Sequence, residues 1–170
     1  MKGSIVCGID GSLDSRRALR VASTYAQELG AKLIVANVVA VPDPVVPSYS
    51  YAAMGRPGMP RPLTSNRMEA DLHGAKARLE RIVAEAEVEG AELRTMLGLP
   101  AERLAELADE EEADLIVVGS RGRGAFRAAF LGSVSNSLIG IARCPVLVVP
   151  RGVTEAGPSA IPHQTGGIGT

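Results

Sequence analysis

Two kinds of segment alternate along the chain: short runs that are apolar throughout, and longer stretches with apolar residues three and four apart. Ser4 to Ile9, Leu33 to Val39, Asp114 to Gly119 and Pro145 to Pro150 are of the first kind. Such runs, bounded by turn residues, predict strands buried on both faces. Glu92 to Leu97 alternates more weakly and predicts a further strand. The first helix follows Asp10-Gly11-Ser12, with Ala18, Val21, Ala22, Tyr25, Ala26 and Leu29 inward. Ser12 or Asp14 is placed to cap it and Gly30 to stop it. A longer helix is expected over Ser65 to Glu89, with Met68, Leu72, Ala75, Leu79, Ile82, Val83 and Ala86 as its stripe and Gly90 as its end. Pro100 opens a helix to about Glu112, burying Leu104, Leu107 and Ala108. The acidic run Asp109 to Glu112 opposes the helix dipole, so that turn is expected to fray and its charges read as a solvated face. Ser133 to about Arg143 is the last helix.

Buried strands alternating with amphipathic helices predict an α/β fold, a parallel sheet covered on both faces. Ligands of such folds bind beyond the carboxyl ends of the strands, where the winding reverses. The tips of the first and fourth strands, Asp10 and Gly119, are the candidates. Two segments lack a pattern. Ala40 to Thr64 carries six prolines and two glycines, and either covers a site or is disordered. Residues 151–170 are rich in Gly, Pro, Ser and Thr and read as a disordered tail behind a domain at 1–150.

Composition narrows the function. A net charge of −1 gives no general attraction to nucleic acid or anionic lipid. Aromatic residues are 3% and Trp is absent, which argues against a base-stacking platform. No apolar stretch approaches the ~20 residues of a membrane span, and the first residues lack a secretory pattern, so a cytoplasmic location is expected. Cys7 and Cys144 sit inside apolar runs and read as small buried hydrophobes. With His73 and His163 they offer too few spaced ligands for zinc.

The chemistry concentrates in Gly119-Ser120-Arg121-Gly122, followed nine residues later by Gly132-Ser133. A glycine at a strand tip lets the backbone approach a ligand. At a helix start, unpaired amides and the dipole attract an anion, and the Ser133 hydroxyl can donate to a phosphate. A branched side chain at Gly132 is expected to occupy the phosphate position. Three charge-assisted hydrogen bonds at roughly 1.5–3 kcal/mol each suffice, with a buried base, for about micromolar binding. Each residue has a plainer reading: Asp10 as turn residue or cap, Gly119 and Gly122 as a tight turn, Ser133 as an N-cap. Together, between a strand and a helix, they point to a phosphate site. Arg121, Arg123 and Arg127 add local positive charge.

The spacing Gly119-x2-Gly122-x9-Gly132-Ser133 resembles the nucleotide-binding signature of the ATP-binding universal stress proteins. IVCGIDGS resembles that family's first strand and ARCPVLVVP its ending, so the likeness spans residues 1–150. It implies a Rossmann-like, five-stranded parallel sheet in the order 3-2-1-4-5, and ATP, ADP or AMP as ligand, with Mg or Mn carried by the phosphates. It places Asp10 beside the adenosine and the backbone of Val39 at the adenine edge. Gly119, Gly122, Gly132, Ser133 and Val134 then surround ribose and phosphates. The proline-rich segment and the tail depart from the family.

Between Gly119 and Ser133 there is no Asp, Glu, His, Lys or Gln, hence neither a general base nor a phosphate-binding lysine. Asp10 and Asp14 are the nearby carboxylates, placed to bind a cation or to orient a water slowly. Retention of ATP by a regulatory or stress-response protein is the leading expectation. A slow ATP hydrolase or an adenylating enzyme is one alternative. Gly11-Ser12-Leu13-Asp14-Ser15 has some likeness to the SGGxDS pyrophosphate loop, but the second glycine is missing. The other is a partner-binding module with structural nucleotide. The family's strand order puts Val146 to Val149 at an edge, which implies a homodimer by antiparallel pairing through strand 145–150, limited by Pro145 and Pro150.

Overall fold

The computed structural model describes residues 3–40, 65–122 and 131–151, and the side chains of these from 68 onward in the second stretch. Five strands are described: β1 (Ser4–Gly8), β2 (Lys32–Ala40), β3 (Glu92–Gly98), β4 (Ala113–Gly119) and β5 (Val146–Val149). They form one sheet in the order β3-β2-β1-β4-β5, each neighbouring pair parallel. Four helices are described: α1 (Leu13–Leu29), α2 (Ser65–Glu85), α3 (Pro100–Glu110) and α4 (Ser133–Ile141).

Alternation along the strands divides the core into two layers. Ile5, Cys7, Ile9, Leu33, Val35, Val117 and Val149 pack with Ala18, Leu19 and Ala22 of α1 and Leu79, Ile82 and Val83 of α2. On the other face Val6, Ile34, Ala36, Ile116 and Val118 pack with Leu104, Leu107 and Ala108 of α3 and Leu138 of α4. The sheet is therefore doubly wound, and its winding reverses between β1 and β4.

Element limits differ from expectation where local geometry overrides a sequence signal. Ser12 is the cap of α1, its Oγ accepting from the Ser15 amide at 3.2 Å, and Asp14 lies inside the helix. The second helix ends at Glu85 rather than Glu89. Glu87 takes a left-handed φ of 53° there, and the Val88 amide donates to the Val83 carbonyl at 3.2 Å, closing the helix before Gly90. α3 likewise stops at Glu110, and Glu112 has a φ of 47°. Strand β2 runs to Ala40, one residue into the segment expected to be irregular. The rest of that segment, the tail from 152 onward, His163, Arg123 and Arg127 lie outside the described residues.

The acidic run is not merely a solvated face. Glu111 Oε2 lies 2.8 Å from Lys32 Nζ and its Oε1 lies 3.1 Å from an Arg94 guanidinium nitrogen. Its carbonyl accepts from Ser4 Oγ at 2.8 Å. Cys7 is buried and free, and burial pushes its thiol up to about 12. Cys144 is half-buried rather than buried, and its thiol is raised chiefly by desolvation, which leaves both cysteines protonated near neutrality. Among the described residues no helix is long and apolar enough to cross a membrane.

Candidate functional site

The carboxyl ends of β1 and β4 lead into two turns that face each other. After β1, Asp10 Oδ1 accepts from the Ser12 amide at 2.9 Å, an Asx turn that directs the chain into α1. After β4, Ser120 to Gly122 crosses toward the same point, and Ser12 Oγ donates to the Arg121 carbonyl at 3.4 Å. Gly122 stands close to Asp10: a Cβ built on it would lie 2.7 Å from Asp10 Oδ2. Strand β2 continues through Asn37, Val38, Val39 and Ala40 beyond its last pair with β1, Gly8↔Ala36. These four pair with Thr95 to Gly98 of β3, past the point where β1 ends. The buried Asn37 fixes that departure, its Nδ2 donating to the Ile9 carbonyl at 2.6 Å.

Helix α4 points its amino terminus at the Ser120–Gly122 turn. Gly132 is the N-cap, with φ −70° and ψ 162°, and no side chain caps the helix. Ser133 is therefore the first helical residue, not the cap. The Gly132 amide is spent on the Ser120 carbonyl at 2.7 Å, and Ser135 Oγ donates to the Gly119 carbonyl at 2.8 Å. The amides of Ser133 and Val134 follow, in the first turn, where helical geometry supplies no acceptor. They carry the positive end of the helix dipole toward the Ser120–Gly122 turn.

Two of the glycines are required by close packing of main chain. A Cβ at Gly119 would stand 2.6 Å from the Asp14 carbonyl carbon and 2.8 Å from the Ser15 nitrogen. Gly119 thus lets the start of α1 lie directly on the tip of β4. A Cβ at Gly132 would meet the Arg121 Cα at 3.3 Å and the Ser120 carbonyl oxygen at 3.4 Å. It faces the backbone of that turn.

Asp14 also departs from its expected role. It is 3% exposed and fully engaged: Oδ1 lies 3.2 Å from an Arg17 guanidinium nitrogen, while Oδ2 accepts from Ser120 Oγ at 3.2 Å and Arg151 Nε at 3.4 Å. A carboxylate so paired is held inside the protein rather than offered to a cation. Ser120 and Arg151 were given no role by the sequence, because both act through partners more than 100 residues away. Asp10, Gly119, Gly122 and Gly132 gather around the Ser120–Gly122 turn, and Ser133 and Val134 follow Gly132 in the first turn of α4. Val39 lies near the carboxyl end of β2, on the far side of β1 from β4. Among the described residues no group of three or more His, Cys, Asp or Glu is placed to hold a metal ion.

This architecture has close relatives. The model of the universal stress protein family matches residues 1–150. A universal stress protein of Thermus aquaticus is 37% identical over 150 residues, an alignment covering 86% of this chain and 97% of the relative. The solved universal stress protein UspA from Lactobacillus plantarum has a TM-score of 0.66 at 22% identity, covering 86% of this chain and 97% of that one, a likeness of fold. A universal stress protein solved in complex with cAMP is 32% identical, with a TM-score of 0.54, covering 88% of this chain and 97% of that one.

Proposed function

The chain belongs to the universal stress protein family, and from that premise we propose that it is a cytoplasmic regulatory protein that binds an adenine nucleotide, ATP or a close relative, with little or no fast catalysis. One observation carries this reading: Asp10, the Ser120–Gly122 turn and the amino terminus of α4 converge at the point where the sheet's winding reverses. The relative in complex with cAMP, at 32% identity, supports an adenine nucleotide as the ligand class.

In this reading the Ser133 and Val134 amides hold phosphate oxygens and Asp10 lies beside the ribose. The backbone of Val39 meets the adenine edge. Gly119, Gly122 and Gly132 serve the site by letting main chains lie close together. Mg or Mn would arrive with the phosphates. Asp14 is taken by Ser120, Arg17 and Arg151 and is not offered to such a cation. The absence of Asp, Glu, His, Lys and Gln from Gly119 to Ser133 favours retention of the nucleotide over turnover.

A homodimer is part of the same proposal. Among the described residues β5 pairs with β4 on one edge and nothing on the other. Val146 and Val148 are half-buried, and Ile139 and Ile141 of the adjoining helix are exposed, so pairing through β5 would cover apolar surface. A monomer in sedimentation at micromolar concentration would remove this part.

The test is calorimetric titration of the full chain with ATP, ADP, AMP and cyclic AMP. At least one is expected to bind with a Kd of about a micromolar, equivalent to ~8 kcal/mol. No binding below a millimolar by any of the four would end the reading. Rapid release of AMP and pyrophosphate from ATP with magnesium would instead favour an adenylating enzyme.

A further inference from the structure

We propose that Asp14 is a positioning residue that holds the anion-facing backbone of the crevice and couples it to the end of β5. The proposal rests on the nucleotide-binding reading above for its effect on affinity, but its structural basis is independent of that reading.

A buried carboxylate is costly unless donors surround it. Those of Asp14 come from three separate places: Arg17 in its own helix, Ser120 after β4, and Arg151 two residues past β5. A carboxylate in a helix's first turn is explained by the dipole alone. That account gives no reason for partners 106 and 137 residues away in sequence.

Ser120 shows what these contacts hold. Its amide donates to the Val149 carbonyl at 2.9 Å, its carbonyl accepts from the Gly132 amide at 2.7 Å, and its hydroxyl donates to Asp14 at 3.2 Å. One residue thereby joins β5, the start of α4 and the start of α1. The path Arg151–Asp14–Ser120–Gly132 runs from the end of the edge strand to the cap whose next two amides face the crevice. Anything that moves the end of β5, including a chain paired along its open edge, acts on Asp14 through Arg151 and on the crevice through Ser120. Arg151 has 65% of its side chain exposed, so it adds little to the packing and can be removed without disturbing the core.

The experiment compares the full-length chain with Arg151→Ala, Asp14→Asn and the double variant. It reads the Kd for ATP, the melting temperature, and hydrogen exchange of the Gly132 amide without nucleotide. Arg151→Ala is expected to leave the melting temperature unchanged, speed Gly132 exchange, and weaken ATP by about fivefold or more. Asp14→Asn should weaken ATP further, and the double variant should be no weaker than Asp14→Asn alone. A purely structural Asp14 would lower the melting temperature while Arg151→Ala left affinity and exchange as in the parent. That result overturns the proposal, as does a double variant whose losses multiply. Should Asp14→Asn not fold, Arg151→Ala decides alone. Should the parent chain bind no ATP, the nucleotide reading fails, and Gly132 exchange still decides the coupling.

Discussion

At the amino end of the sheet, Lys32, Glu92, Arg94 and Glu111 pair among themselves, whereas at the carboxyl end the polar groups tie segments of backbone to one another. Lys32 Nζ lies 2.8 Å from both Glu92 and Glu111, and Arg94 reaches the same two carboxylates. At the opposite end Ser120 and Asp14 join α1, β5 and α4. Helix direction explains the contrast. In a parallel α/β sheet the helices run back, so their negative ends gather at the amino end and their positive ends at the carboxyl end. Lys32 and Arg94 answer the acidic close of α3. Charge closes the amino end within the protein, and at the other end the first turn of α4 brings its positive end to the Ser120–Gly122 turn.

The largest effect is expected from Gly119→Val. Its Cβ would meet the Asp14 backbone at 2.6 Å, and backbone cannot swing aside as a side chain can. We expect a loss of about 3 kcal/mol or more in urea unfolding, with failure to fold at the extreme. Gly132→Val comes next. Its Cβ contacts of 3.3–3.6 Å press on the Ser120–Gly122 turn, so it should cost about 1–3 kcal/mol and also weaken ATP at least tenfold. A variant with parental affinity would show that the turn does not hold the ligand.

The glycine spacing was legible in the sequence, but the main-chain contacts at Gly119 and Gly132 were not, because the direction of a missing Cβ is a tertiary property. The strands, the helices and their alternation followed from periodicity. The strand order came from the family likeness. Helix ends failed where Glu87 and Glu112 adopted conformations usually given to Gly, so that Gly90 misled. Asp14 and Glu111 were misread for a common reason. Nothing in DSR or in the run DEEE tells of a serine 106 positions on, or of a lysine 79 positions back. Local pattern finds elements and loops, while pairing across the sheet's ends is decided by the register that assembles them.

The amino end should respond more weakly. Glu111→Gln removes one member of an exposed network, so its melting temperature should fall less than that of Gly119→Val, with ATP affinity unchanged. A drop in affinity would mean that the two ends are not independent. The smallest effect is the pH dependence of this network. Hydrogen bonds from Lys32 and Arg94 hold Glu111 below its ordinary 4.5, and Arg16 does the same for Glu85. Their contribution is present above that value and lost as pH falls through the depressed ones. Glu111 and Glu92 raise Lys32 above 10.5, so its contribution is full below 10.5 and lost as pH climbs through the raised value. Melting temperature should therefore be flat with respect to these groups from about pH 5 to 10 and fall on both sides. Glu111→Gln should shallow the acid slope, as scanning calorimetry across pH would show.

The most direct test of the open carboxyl end is a crystal structure of the chain grown with millimolar ATP. The account predicts phosphate density within hydrogen-bond distance of the Ser133 and Val134 amides, with the ribose beside Asp10. An empty crevice, or nucleotide bound elsewhere on the surface, would contradict it.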